Sequence, residues 1–199
     1  MQIHCESNSS TPYFQRPIIH LVRDGRAVAE SARRRWLAPP DPKYLLEKAR
    51  WVPLQDIPYY GIRFLKFQLG RLRTRDKAPT SWGPRFAGLD ELVRTKSLIE
   101  VCGIQWKTCV ESAHNALLKI PSDRTLTIKY EDLIADPLEV SAHIFDFVGL
   151  DFAKESREFI KEFVVNGNVH KWKKYLTNED LEKLMPHIED TLKKFGYLE

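Results

Sequence analysis

Glycine is scarce in this chain, nine in 199 residues, and the first of them is Gly25. The opening MQIHCESNSSTPYFQRP therefore holds no glycine loop, and neither G-x-x-x-x-G-K-[ST] nor G-x-G-x-x-G occurs anywhere in the sequence. A loop that cradles phosphates with consecutive backbone amides needs glycine for close approach, so the sequence offers no such cradle. Cysteine is equally sparse. Cys5, Cys102 and Cys109 are odd in number, and two cysteines seven apart on one helix would hold their Cα atoms ~10 Å apart, beyond disulfide reach. Buried thiols are the better reading. The six histidines show no H-x-x-x-H spacing and the cysteines no C-x-x-C, which removes the common zinc signatures, and no metal is expected. No run approaches the ~18 apolar residues of a membrane helix. The polar N-terminus lacks a signal-peptide core, and the chain as given reads as cytoplasmic with no membrane segment.

What is present fits one soluble α/β domain spanning 1–199, with residues 1–16 a polar leading segment. Hydrophobic residues make up 43% and charged residues 29%, ordinary values for a packed domain. Charge is unevenly spread. Residues 1–100 carry 18 Lys/Arg against 10 Asp/Glu, whereas residues 101–199 carry 13 against 17. The basic excess centres on Arg33-Arg34-Arg35 and on the run from Arg63 to Lys77. Such a field attracts an anionic ligand or simply solvates one face. No nucleic-acid partner is expected, because no recognised binding motif accompanies the charge.

The segment PIIHLVRDGRAVAESARRRW carries the most chemistry. Ile18 to Val22 reads as a strand that delivers Arg23 to its carboxyl end, Asp24-Gly25 as a turn, and Arg26 to Trp36 as a helix. Ligands of open α/β sheets sit beyond strand carboxyl ends. The spacing puts a guanidinium at the strand tip, the Ser31 hydroxyl on the following helix and Arg35 one turn further on. Helix-start amides also favour an anion. The pattern outlines a phosphate site, although an Arg followed by a charged amphipathic helix also suits a solvated rim.

This segment resembles the 3′-phosphate-binding motif of sulfotransferases that use 3′-phosphoadenosine 5′-phosphosulfate, in which an Arg at a strand end and a Ser eight residues later grip the 3′-phosphate. Its RDGR run with Arg35 is locally most similar to the protein-tyrosine members. Two later segments agree in order. LTIKYEDLIADPLEVSAHIFDFVGL resembles the family's strand, Tyr-Glu-Asp turn and helix, and NGNVHKWKKYLTNEDLEKLMPHIEDTLKKFGY resembles its Lys-Trp loop and closing helix.

The resemblance implies a P-loop-NTPase-like sulfotransferase fold, a parallel sheet flanked by helices, here N-terminally incomplete. It implies 3′-phosphoadenosine 5′-phosphosulfate as co-substrate and transfer of a sulfuryl group to a hydroxyl or amine. It also implies Arg23, Ser31, Arg35, Tyr130, Asn168 and Lys171 as nucleotide contacts. Tyr130 equally suits a hydroxyl bonded to nearby backbone. The acceptor stays open among protein tyrosine, carbohydrate and small alcohol.

The family's glycine-containing loop for the 5′-phosphosulfate, and the Glu or His that serves as base, normally precede the Arg23 segment. Only 22 residues precede Arg23 here. The expectation is a chain that supplies the 3′-phosphate half, is inactive alone and leaves the catalytic residues unknown, with a Golgi membrane location if an anchor belongs upstream. The alternative is a non-catalytic remnant that binds a nucleotide or an acidic partner.

Between the motifs, Tyr44 to Val52 reads as a short helix after a proline-rich break, and the resemblance implies Trp82, Arg85 and Phe86 as candidate acceptor contacts, with ordinary loop packing as the alternative. Leu98 to Leu118 shows a helical apolar stripe through Val101, Cys102, Trp106 and Cys109, with Trp106 in the core. Leu126 to Tyr130 reads as a strand. Asp136-Pro137 caps a helix that turns Val140, Ile144, Phe147 and Val148 to the core. Glu131 and Asp132 receive no catalytic role. Thr177 and Asp180 open a last helix with Leu181, Leu184, Ile188 and Leu192 on one face. Before it, Trp172 anchors the Lys-rich loop.

Overall fold

A computed structural model describes residues 16–38, 83–164 and 169–199, with a few isolated positions between 53 and 65. Cys5, Trp82, Asn168, the Tyr44–Val52 stretch and most of the Arg63–Lys77 run lie outside the described residues. In chain order the elements are β1 (Ile18–Val22), α1 (Gly25–Leu37), α2 (Leu89–Thr95), α3 (Leu98–Leu117), a 3-10 turn (Ser122–Arg124), β2 (Thr125–Lys129), α4 (Tyr130–Ala135), α5 (Pro137–Phe147), α6 (Lys154–Phe163), α7 (Trp172–Tyr175) and α8 (Asn178–Lys194). They fall into two compact units, Met1–Asp24 with Val110–Val169, and Gly25–Cys109 with His170–Glu199.

The first unit is built on a parallel pair of strands, the only sheet among the described residues. Ile18 stands opposite Thr125 and the register continues to Val22 opposite Lys129. Parallel neighbours need a long crossover, and here the chain from Arg23 to Arg124 supplies it. The strand expected to end at Tyr130 stops one residue earlier, and Tyr130 opens α4 instead. Glu131, in the first turn of α4, accepts a hydrogen bond from the Asp24 N–H at 3.1 Å. That bond ties the end of β1 to the start of α4.

Helix α5 starts as its sequence dictates. The Asp136 side chain accepts the Glu139 N–H at 3.0 Å and Pro137 occupies the first helical turn. It stops at Gly149, whose φ of 70° places it in the left-handed region, with the Leu150 N–H bonded to the Phe145 carbonyl at 2.9 Å. The rings of Phe145 and Phe152 then meet at 4.9 Å between centroids, which turns the chain into α6. The face expected to be core is only half-buried: Val140, Ile144, Phe147 and Val148 are all intermediate, and Ser141 is the buried residue of α5. A unit of this size has too little interior to cover a whole helix face.

The second unit holds the better core. Ala27, Ala29 and Trp36 of α1, Ile99, Val101, Cys102 and Trp106 of α3, and Leu184, Ile188 and Leu192 of α8 are buried. The expected stripe of α3 is buried in its first half, while Cys109 and Ala113 are half-buried and Ala116 is exposed. Helix α8 is capped in both directions, Thr177 Oγ1 accepting from the Asp180 N–H at 3.1 Å and Asp180 Oδ2 from the Thr177 N–H at 3.0 Å. Burial pushes the Cys102 thiol up to about 12, against the opposing charge of Arg33, and raises that of Cys109. Burial thus makes the Cys102 thiol a poor nucleophile at neutral pH.

Glu100 joins α3 to α8. Its Oε2 accepts the Ser97 N–H at 2.9 Å and the Ser97 hydroxyl at 2.7 Å. Its Oε1 lies 3.0 Å from His187 Nε2 and 3.3 Å from Lys96 Nζ. Burial by itself raises the carboxyl, but the hydrogen bonds from Ser97, His187 and Lys96 outweigh it and hold the group at about 2. The folded value lies below the ordinary 4.5, so this stabilisation is complete above that value and is lost as pH falls toward about 2. Glu100→Gln is expected to flatten that acid limb in a melting-temperature series across pH 2 to 6. An unchanged slope would show that the carboxylate does not couple folding to protons.

Candidate functional site

The two units each carry part of the residue set suggested by the sequence. Arg23 and Tyr130 belong to the first; Ser31, Arg35 and Lys171 belong to the second.

In the first unit, the Arg23 guanidinium carbon lies 4.5 Å from the centroid of the Tyr130 ring. Such stacking fixes the plane of the guanidinium against the ring. Both residues are half-buried, and Asp24 beside them is 5% exposed with its N–H held by Glu131. Glu131 therefore shapes the strand-end turn. Tyr130 supplies a ring face to Arg23, a partnership that spacing alone did not reveal.

In the second unit, α1 presents three consecutive arginines that separate by partner. Arg33 Nη1 lies 2.5 Å from Asp180 Oδ1 of α8, and its Nη2 donates to the Tyr175 carbonyl at 3.3 Å. Burial raises the Asp180 carboxyl, but the Thr177 N–H and Arg33 outweigh it and lower it. Arg34 Nε lies 2.5 Å from Glu30 Oε1, and its guanidinium carbon sits 5.1 Å from the Tyr175 ring centroid. The Glu30 side chain is only 3% exposed, yet this oxygen has no aligned hydrogen bond, so the pair is an off-axis charge contact. Arg35 is exposed, and among the described residues no hydrogen bond or ion pair engages it or the Ser31 side chain. Ser31 and Arg35 are thus one helical turn apart on α1 with both polar groups uncommitted.

Lys171 precedes α7, exposed, its Nζ 5.9 Å from the same Tyr175 ring. Trp172 is 6% exposed, with the Arg26 guanidinium carbon 4.5 Å from its ring centroid and Arg26 Nη2 donating to the Tyr197 carbonyl at 3.3 Å. Its buried position suits an anchor. Among the described residues the indole N–H meets no acceptor. Of the acceptor-contact candidates, Arg85 is spent on Asp90, with its Nη2 at 3.0 Å and 2.9 Å from the two carboxylate oxygens, and Phe86 is half-buried.

The structure brings Lys171 beside α1 through Tyr175, and it separates Arg35 from its two neighbours by the partners those neighbours take. Sequence reasoning missed Tyr175, Arg26 and Glu30. The i,i+4 spacing of Glu30 and Arg34 was the one visible signal for that pair. Among the described residues no cluster of His, Cys, Asp or Glu is arranged to hold a metal ion, and no helix is long and apolar enough to cross a membrane.

Residues 85–154 match the sequence model of the sulfotransferase family. Over 206 aligned residues, 94% of this chain, the sequence is 23% identical to carbohydrate sulfotransferase 2 of Mus musculus. The alignment covers 36% of that relative, so the chain spans about a third of its length. No solved structure matches.

Proposed function

We propose, starting from the sulfotransferase family that both sequence matches support for this chain, that it grips the 3′-phosphate end of 3′-phosphoadenosine 5′-phosphosulfate. In this reading the chain supplies the 3′-phosphate half of an enzyme that moves the sulfuryl group to a hydroxyl or amine, and its parallel strands belong to a P-loop-like sheet. The single observation that carries the reading is the pair Ser31 and Arg35 on α1, uncommitted among the described residues, in a run whose other two arginines are already tied to Asp180 and Glu30. A basic residue left without an internal partner beside a free hydroxyl is suited to a phosphate. Arg23, oriented by the Tyr130 ring, is the strand-end member of the set. Lys171 and Asn168 complete it.

The bound co-substrate would bring the activated sulfuryl group. The chain's own residues bind and orient its distal end, and they leave the reacting sulfur to other groups. Transfer of this kind rests on positioning and charge stabilisation, so a firm hold on the 3′-phosphate fixes where the sulfuryl group points. A carbohydrate hydroxyl is the favoured acceptor class, given the name of the mouse relative.

Calorimetric titration with 3′,5′-adenosine bisphosphate tests the reading. Arg35→Ala and Arg23→Ala are each expected to weaken binding about 10- to 100-fold, the range for a lost hydrogen bond to a charged group. Ser31→Ala is expected to act in the same direction. A folded wild-type chain that binds no nucleotide would overturn the reading, as would binding that both arginine variants retain in full.

A further inference from the structure

Tyr175 is where α1 takes hold of α7. Arg33 donates to its carbonyl at 3.3 Å. Arg34, held at 2.5 Å by the buried Glu30, stacks over its ring at 5.1 Å. Lys171 places its ammonium 5.9 Å from the centroid of the same ring. The Tyr175 ring thus meets two cations, and the negative face of an aromatic ring attracts each of them. The attraction extends to about 6 Å from the centroid, so Lys171 stands at its outer limit. The ring is strong enough to orient an unliganded lysine and weak enough to release its charge to an anion. Among the described residues the Tyr175 hydroxyl has no hydrogen-bond partner, so the ring face is the part of the side chain in use.

We propose that Tyr175 is a positioning residue. Braced by Glu30 and Arg34, its ring holds the Lys171 ammonium beside α1, ready for the same polyanion that Ser31 and Arg35 await. The inference rests on the nucleotide reading above and adds to it a residue that touches no ligand. It also explains the division of labour along Arg33-Arg34-Arg35. The first two fix α7, and the third is left for ligand.

A double-mutant cycle read by affinity for 3′,5′-adenosine bisphosphate tests this. Tyr175→Leu is expected to weaken binding roughly three- to fivefold, the range set by an exposed cation–π contact, and Lys171→Ala to weaken it at least as much, because it removes the ammonium that meets the anion. The two together should weaken it no further than Lys171→Ala alone. Tyr175→Phe should keep wild-type affinity, because the ring and not the hydroxyl does the holding. Arg34→Met, which leaves the ring in place, should reproduce the loss and serves if Tyr175→Leu does not fold. Additive effects of Tyr175→Leu and Lys171→Ala, a Phe variant as weak as the Leu variant, or an unchanged Arg34→Met would each overturn the assignment while leaving the nucleotide reading intact. A wild-type chain that fails to bind overturns both.

Discussion

Trp106→Ala is expected to cost about 3–5 kcal/mol of stability, the range for removing a large buried aromatic. Trp106 is 5% exposed, and its size is only part of the reason. A Cβ built on Gly25 would lie 2.6 Å from Trp106 Cε3 and 2.6 Å from Cζ3, closer than carbon atoms approach. The indole therefore packs directly on the backbone that begins α1. Glycine is required at position 25 for space, not for backbone conformation. Removing the ring opens a cavity under the helix that carries Ser31 and Arg35, so ligand affinity should fall together with stability. Urea unfolding would read the first effect as a lowered midpoint at unchanged slope. A loss below about 1 kcal/mol, typical of a surface change, would mean that the ring does not support α1.

Leu184→Ala is expected to cost about 2–5 kcal/mol. Leu184 is 0% exposed, as are Ile188 and Leu192 on the same face of α8. The contact has a specific shape. A Cβ placed on Gly103 of α3 would collide with Leu184 Cδ1 and come 3.2 Å from Ile188 Cγ2. Leu184 thus fills a notch that a missing side chain leaves in α3. Gly103→Ala alone faces two opposed effects, a helix-propensity gain of about 1 kcal/mol and an overpacking cost of about 1–3 kcal/mol. The clash is with a fully buried methyl, so cost should win. In the Leu184→Ala background the clash is gone and the added methyl enters the hole, so Gly103→Ala should then stabilise. Simple additivity of the two substitutions would sink this account, since groups in contact are expected to couple.

The two experiments address the part of the protein on which the proposed site depends most directly. Ser31 and Arg35 are carried by α1, and within their unit α1 rests on Trp106 at its start and on α7 and α8 through Arg33 and Arg34. Destabilising that support should weaken nucleotide binding before any ligand contact is altered.

Some of this was plain in the sequence. The strand–turn–helix around Arg23 has the expected order, with α1 opening at Gly25. Asp136 and Thr177 cap the helices that follow them, and Leu184, Ile188 and Leu192 face one core. Those features depend on neighbours within about four residues, where side-chain capping and the 3.6-residue period act. Other features could not be read there. Tyr130 opens a helix because the end of β1 bonds to Glu131, 107 residues from Asp24. Nor was the half-burial of α5 legible there.

By itself, then, the sequence determined where α1, α5 and α8 begin, which residues can carry charge to a phosphate, and the eight-residue step from Arg23 to Ser31. Only the tertiary structure decided which charges are available. Three adjacent arginines are chemically alike along the chain. Arg33 is bound because Asp180 lies 147 residues away yet 2.5 Å distant, Arg34 pairs with the buried Glu30 one turn back on its own helix, and among the described residues no hydrogen bond or ion pair engages Arg35. Coulomb attraction and hydrogen bonding act over a few ångströms of space, whatever the separation in sequence.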